Sequence, residues 1–263
     1  MTNLPTLADD ERLDEVNEQI RLIQKKQGLT FGTDAFLLAA YVRPSTNAVA
    51  VELGGGTGIV SLLLASKKKA KRITAIEIQP VYAELIERNT ALNGFSNIDT
   101  LCENVCNLTP TMLGHEVDLV VSNPPYMKCN AGKRNDADEK YIARHEVCGR
   151  IADFCAAAGR ILKHGGRFVV VWRPDRLSEL FAALLEARLE PKRMTFVHAD
   201  TEAEPCMILL EAIKGGAPSM RISPPLFLYQ PINGQSKRIL TPEAQKIYDE
   251  CCFPNETRQG GKQ

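Results

Sequence analysis

Apolar residues gather in short runs along this chain, and the runs alternate between two characters. Ala48-Val-Ala-Val-Glu52, Arg72-Ile-Thr-Ala-Ile-Glu-Ile78, Ile98 to Leu101, Asp118-Leu-Val-Val-Ser122 and Gly166 to Trp172 are brief and apolar, as buried parallel strands are. Between them, Ile59 to Ala65, Pro80 to about Asn93, Ala143 to about Ala158 and Leu177 to Ala187 read as helices. Pro80 suits a first helical turn and Gly94 a stop. Arg193 to Val197 and Cys206 to Ala212 read as a closing strand pair. The alternation predicts an α/β fold around a mostly parallel sheet.

Residues 1–44 precede the first of these strands and read as an N-terminal extension packed on a core of residues 45–230. Leu13, Val16, Ile20 and Ile23 recur near helical spacing, and a second helical stretch runs from Ala35 to Tyr41. Asp34 stands where a helix N-cap belongs, and Phe31 is a candidate core residue. A tail, residues 231–263, follows, and neither Pro224 to Tyr229 nor Thr241 to Tyr248 can be placed from the pattern.

The length of 263 residues suits one α/β domain with additions. Leu4 to Asp14 carries acids rather than the apolar core of a secretory peptide, and no apolar run approaches the ~20 residues of a membrane span. A soluble, cytoplasmic protein is expected. Cys102, Cys106, Cys129, Cys148, Cys155, Cys206, Cys251 and Cys252 include no CxxC pair and no zinc-type spacing, so reduced thiols, mostly in or near the core, and no metal are expected. Lys+Arg and Asp+Glu both number 32, so net charge does not point to nucleic acid. Basic clusters at Lys25-Lys26, Lys67 to Arg72, Lys133-Arg134 and Lys192-Arg193 are either solvated faces or parts of a folded basic patch.

Candidate chemistry lies where strands run out. After Asp118 to Ser122 comes Asn123-Pro-Pro-Tyr126. Pro124 and Pro125 fix φ, hold the preceding residue extended and contribute carbonyls without N–H donors, so the segment is a stiff arm of acceptors. The side-chain oxygen of Asn123 and the carbonyl of Pro124 suit the two hydrogens of an NH2 group, and the Tyr126 ring suits a flat substrate. Taken alone, the tetrapeptide also serves as a turn. Gly54, Gly56 and Gly58 follow Glu52 in a loop that permits positive φ and close approach of a ligand; alone it indicates only a nucleoside cofactor. Glu77 follows Gly58 by nineteen residues, where a ribose-binding acid belongs. Asn104 can read an adenine amine through its amide oxygen. Met127 to Tyr141 reads as a loop beside the site, a lid or simply exposed, and His145 as a helix-capping or hydrogen-bonded histidine.

Glu52-Leu-Gly-Gly-Gly-Thr-Gly58, Glu77 and Asn123-Pro-Pro-Tyr126 in this order resemble a Rossmann-type S-adenosylmethionine-dependent methyltransferase of the amino-methylating kind. Ile23-Gln24, Phe31-Gly-Thr-Asp34, Ala143-Arg-His-Glu146, Arg173-Pro-Asp-Arg176, Glu190-Pro-Lys-Arg193, Lys214-Gly-Gly216 and Pro224-Pro225 narrow the resemblance to the bacterial tRNA(Val) adenine-37 N6-methyltransferase family, over residues 10 to 250. The resemblance implies a seven-stranded sheet with the last strand antiparallel, and methylation of the adenine beside the anticodon. It implies that Asn123, Pro124, Pro125 and Tyr126 grip the target amine. Glu52, Gly54, Gly56, Gly58, Glu77 and Asn104 would hold S-adenosyl-L-methionine, with Thr33 and Asp34 closing over it. The partner would be a tRNA anticodon loop, its phosphates on the basic clusters. Asn104 departs from the family pattern, where an aspartate is usual.

Two other readings stay open on the residues. A protein glutamine N5-methyltransferase would use the same arm on a carboxamide, although 44 residues leave little room for the helical N-terminal domain such enzymes carry. A non-catalytic nucleic-acid-binding module would have no reason to keep both a complete glycine loop and the acceptor arm.

Overall fold

The computed structural model describes residues 6–27, 31–125, 149–230 and 238–254. Its first element corrects the sequence reading: Leu13, Val16, Ile20 and Ile23 are not helical. Glu11–Asn17 (β1) and Ile20–Lys25 (β2) pair as an antiparallel hairpin. Asn17 makes the reversal, because its Oδ1 accepts from the backbone N–H groups of Gln19 and Ile20, both at 2.9 Å. A turn between two alternating strands shifts the apolar phase and imitates a helical period.

Helix α1 (Thr33–Tyr41) follows, with its N-cap at Gly32 rather than at Asp34, which lies in the first turn. Its C-terminal carbonyls are held by the buried Lys69, whose Nζ donates to Ala39 and Ala40 at 2.9 Å and to Val42 at 2.7 Å. One lysine of a basic cluster therefore works inside the fold, where its charge complements a helix C-terminus.

The sheet is built from β3 (Val49–Leu53), β4 (Arg72–Glu77), β5 (Ile98–Cys102), β6 (Val117–Ser122), β7 (Leu162–Trp172), β8 (Leu189–His198) and β9 (Pro205–Lys214). Their order is β5-β4-β3-β6-β7-β9-β8, all parallel except β9, which runs antiparallel between β7 and β8. These are the seven expected strands. Two short ones, β10 (Arg221–Ile222) and β11 (Leu226–Phe227), add parallel partners to β8.

Crossover helices cover both faces, as buried parallel strands require. One core holds α1, α2 (Ile59–Ser66) and α6 (Pro242–Glu250) against Ala50, Leu119, Val121, Val169 and Val171. The other holds α4 (Ile151–Ile161) and α5 (Leu177–Glu186) against Val51, Leu53, Val120, Phe168, Val170 and Trp172. Along β7 the two sets alternate residue by residue, the period of a strand. Of the six described cysteines only Cys155 and Cys251 are buried, fewer than expected.

The hairpin is fastened to α3 (Pro80–Leu92) through polar side chains. Asn89 receives the Ile23 N–H at 2.7 Å and returns a bond to the Ile23 carbonyl at 2.9 Å; Asn93, one turn on, does the same with Arg21 at 2.9 and 2.7 Å. The two asparagines stand in for a neighbouring strand. Glu11 adds a buried carboxylate gripped by Arg88 at 2.7 and 2.8 Å and approached by Lys25 at 3.3 Å.

The Arg88 hydrogen bonds hold the Glu11 carboxyl down to about 2, against burial, which works the other way. A carboxyl depressed from its ordinary 4.5 stabilises the fold fully above that value, and the contribution disappears as pH falls through about 2. Glu11→Gln should lose about 1–3 kcal/mol in urea unfolding at neutral pH. The gap to the parent should close over the acid range; a gap independent of pH would contradict this account.

Candidate active site

Strand order reverses at β3, which has β4 on one side and β6 on the other. Open α/β sheets bind ligands outside the carboxyl ends at such a reversal. The β3–β6 register pairs Leu53 with Ser122, so the next residues, Gly54 and Asn123, leave the sheet side by side. Two side chains lock this register: Ser122 Oγ donates to the Leu53 carbonyl at 2.8 Å, and Asp118 Oδ2 accepts from the Val49 N–H at 2.8 Å. Both lie within the pairing they fix.

From Gly54 the chain turns into α2. Gly54, Gly56 and Gly58 have φ of 76°, 55° and 84°, the left-handed region that favours glycine. Gly55 was not singled out in the sequence, yet a Cβ there would fall 2.8 Å from Ile86 Cδ1, so its smallness sets how closely the turn packs on α3. A Cβ on Gly56 would meet nothing within 4 Å, which leaves room for a ligand along the turn.

Acids at the strand ends hold this turn. Glu52 is buried, and its Oε2 accepts from Ser61 N at 2.9 Å and from Ser61 Oγ, tying the end of β3 to α2. Burial pushes its carboxyl up to about 8, against the pull of the Ser61 hydrogen bonds, and Glu77 adds in the same direction as burial. Glu77 sits at the end of β4 with Oε2 accepting from Gly56 N and Oε1 from Gln79 N, both at 2.9 Å. Each oxygen keeps a second lone pair for a hydroxyl donor. Asn104, after β5, caps the following turn by accepting from Cys106 N at 2.9 Å. Asn89, unflagged in the sequence, donates to the Thr57 carbonyl at 2.9 Å and so joins the turn to the hairpin. Its signal was a pair of asparagines one helical turn apart.

Asn123 is half-buried and donates from Nδ2 to Asp34 Oδ2 at 2.9 Å. Pro124 is buried and Pro125 half-buried behind it. Thr33, beside Asp34, accepts at Oγ1 from the Tyr248 hydroxyl of α6 at 2.8 Å, a contact no sequence motif announced. Thus Thr33, Asp34, Gly54, Gly56, Gly58, Glu77, Asn104 and Asn123 all belong to the carboxyl edge of the sheet. Tyr126, the loop of residues 127–141 and the helix start at residues 143–146 lie outside the described residues. The donor set fits an adenosyl ligand: open space over Gly56, a paired-oxygen acid at Glu77 and an amide at Asn104.

A cleft of about 710 Å³ adjoins this edge, lined by Arg173, Pro174, Asp175, Glu204, Pro205, Cys206 and Met207. Arg72 opens β4 and Lys192-Arg193 fall in the first half of β8, so both basic clusters lie toward the opposite edge. Among the described residues no group of three or more His, Cys, Asp and Glu is placed to hold a metal ion, and no helix is long and apolar enough to cross a membrane.

Residues 25–189 match the model of the methyltransferase small domain. A tRNA1(Val) (adenine(37)-N6)-methyltransferase of Porphyromonas gingivalis is 30% identical over 187 residues, 68% of this chain and 72% of that protein. One from Phocaeicola vulgatus is 29% identical over 198 residues, covering 73% and 80% respectively. Among solved structures, a predicted O-methyltransferase from Agrobacterium tumefaciens superposes with a TM-score of 0.64 over 84% of this chain and 97% of its own, at 22% identity, a likeness of fold. The chain belongs to the methyltransferase small domain family and to the family of tRNA1(Val) (adenine(37)-N6)-methyltransferases.

Proposed function

We propose that the protein transfers a methyl group from S-adenosyl-L-methionine to the exocyclic N6 of adenine in RNA, its target being adenine 37 in the anticodon loop of tRNA(Val). One observation carries the reading: the Leu53–Ser122 register sets the acceptor arm at Asn123 beside the glycine turn at Gly54. When bound, S-adenosylmethionine supplies an electrophilic methyl on a sulfonium that departs as a neutral thioether.

The chain's own residues then divide the work. Gly54, Gly56 and Gly58 would let the adenosyl group lie along the turn, Glu77 would accept from its ribose hydroxyls, and Asn104 would read its adenine amine. Glu52 keeps the turn in place through Ser61, and Thr33 and Asp34 wall the methionine side. Asn123 Oδ1 and the Pro124 carbonyl accept both N–H bonds of the target amine, and Tyr126 stacks on its ring. An adenine amine is a poor nucleophile because its lone pair is delocalised into the ring. Two acceptors on its hydrogens favour a pyramidal nitrogen with the lone pair turned to the methyl donor, and positioning supplies the rest. No strong base is needed, since the proton is shed after transfer.

An anticodon-loop base is unpaired or easily unstacked; its extrusion costs a few kcal/mol, of which stacking on Tyr126 returns about 1–3 kcal/mol. A substrate of this kind places the protein in the cytoplasm.

The test is transfer of labelled methyl to unmodified bulk tRNA, followed by nucleoside mass spectrometry. N6-methyladenosine in the valine fraction is the expected product; label only in added protein would replace this reading with glutamine methylation. Asn123→Ala should slow transfer at saturating cofactor by about 100-fold or more while cofactor affinity, read by calorimetry, stays nearly unchanged. Full activity in that variant would remove the arm from the mechanism.

Glu52 gives the site a pH signature. A carboxyl raised from 4.5 to about 8 in the fold contributes fully below 4.5, and that contribution is lost as pH rises through about 8. Glu52→Gln keeps an oxygen for both Ser61 donors without the cost of a buried charge. In urea unfolding the variant should gain on the parent by about 2–4 kcal/mol between roughly pH 5 and pH 8; parallel pH profiles would refute the shift.

A further inference from the structure

We infer that Asp34 is a positioning residue for Asn123: its carboxylate selects the orientation of the asparagine amide that can receive an amine. The inference rests on the proposed methyl transfer for its chemistry and goes beyond it in assigning what holds the arm ready.

The two ends of an asparagine amide have nearly the same shape and opposite hydrogen-bonding character. Only the neighbours decide which end faces a ligand. Asp34 Oδ2 receives Asn123 Nδ2 at 2.9 Å across 89 residues of sequence. An ionised carboxylate only accepts, so it engages the NH2 end and turns Oδ1 to the other side of the amide. With the amide reversed, an oxygen would face the carboxylate and an NH2 would face the target NH2, two donors that cannot hold one another.

Asp34 is itself well fixed. Oδ1 accepts from the Ala35 N–H at 3.0 Å, which pins the side chain to the first turn of α1. The N-cap role falls to Gly32, which uses no side chain, so Asp34 gives the helix end only Oδ1 and keeps Oδ2 for Asn123. Thr33 is held by the Tyr248 hydroxyl at 2.8 Å, and the Tyr248 ring packs on Phe36 at a centroid distance of 4.9 Å. The C-terminal helix α6 thereby supports the turn that carries Asp34.

The test combines two readouts on the full chain. Side-chain amide resonances of Asn123, assigned by their loss in Asn123→Ala, report the contact without any substrate. Single-turnover methyl transfer to tRNA at saturating cofactor reports its consequence. Asp34→Ala should move those resonances and slow transfer by about 100-fold, the scale of a misplaced reacting group, at a cofactor concentration that saturates the variant. Asp34→Asn, which keeps an acceptor oxygen, should return the rate to within about tenfold of the parent. Unmoved resonances in Asp34→Ala would overturn the inference. So would a full rate at saturating cofactor, which would leave Asp34 only its place in the wall of the cofactor site. If the parent protein moves no methyl to tRNA, the functional reading fails, and the resonances alone decide whether Asp34 holds Asn123.

Discussion

The pairing of β3 with β6 is the constraint on which the rest of the site depends. Side chains on a strand change face with every residue, so a slip of one position would move the Gly54 turn against Asn123 and exchange the two buried faces at once. Apolar residues on both faces would tolerate such a slip poorly but would not name the register. Ser122 and Asp118 do, each by donating to or accepting from the partner strand's backbone near one end of the pairing. A buried hydroxyl left without its carbonyl would cost about 1–3 kcal/mol, which makes the register specific rather than merely favourable.

Around this pairing the site is held by side chains that bond to backbone. Glu52, Glu77, Asn104, Asn89 and Asp34 each accept from, or donate to, main-chain groups of the turns they adjoin. The reason is local: where strands end and glycine turns begin, N–H groups lose their ladder partners and need acceptors. Acids and amides at strand ends supply them, and at Glu77 and Asn104 the remaining lone pairs would serve the proposed cofactor. The residue that shapes the pocket and the residue that would bind in it are therefore the same. Burying Glu52 for this purpose is costly in itself, as its raised carboxyl shows. The turn is preorganised at the expense of the stability of the fold.

Strand and helix runs of the sheet could be read from the sequence because both faces are covered and the strands are continuously apolar. Most ends moved by a residue or a few, as at β7, which begins at Leu162 rather than Gly166, but the helix expected from Ala143 to about Ala158 does not run through Gly149, whose φ is 80°, and α4 begins at Ile151. The hairpin could not be read. Its second strand is held by Asn89 and Asn93, polar groups far along the chain, and periodicity is blind to a partner of that kind. Asp34 shows the same limit. An aspartate before an apolar helix is locally a cap, and only the fold reveals that its carboxylate reaches Asn123. Spacing located Glu77 because that distance is set by one βαβ unit, whereas Tyr248 arrives from a tail with no fixed spacing to the site.

A formal net charge of zero conceals a division between the two edges of the sheet. Toward the amino edge the cations are largely consumed by the fold: Arg43, Arg167 and Arg193 converge on the buried Glu211, Lys69 closes α1, and Lys163 pairs with Asp118. At the carboxyl edge, Arg173 and Arg176 are each matched by an acid, Asp175 and Glu179. Exposed pairs of this kind neutralise much of the field that would draw a phosphate backbone. Lys128, Lys133, Arg134, Lys140 and Arg144 follow the acceptor arm in sequence, interspersed with acids. Under the proposed methyl transfer, selectivity would rest on the shape and hydrogen bonding of one planar amine more than on long-range attraction to the strand that carries it.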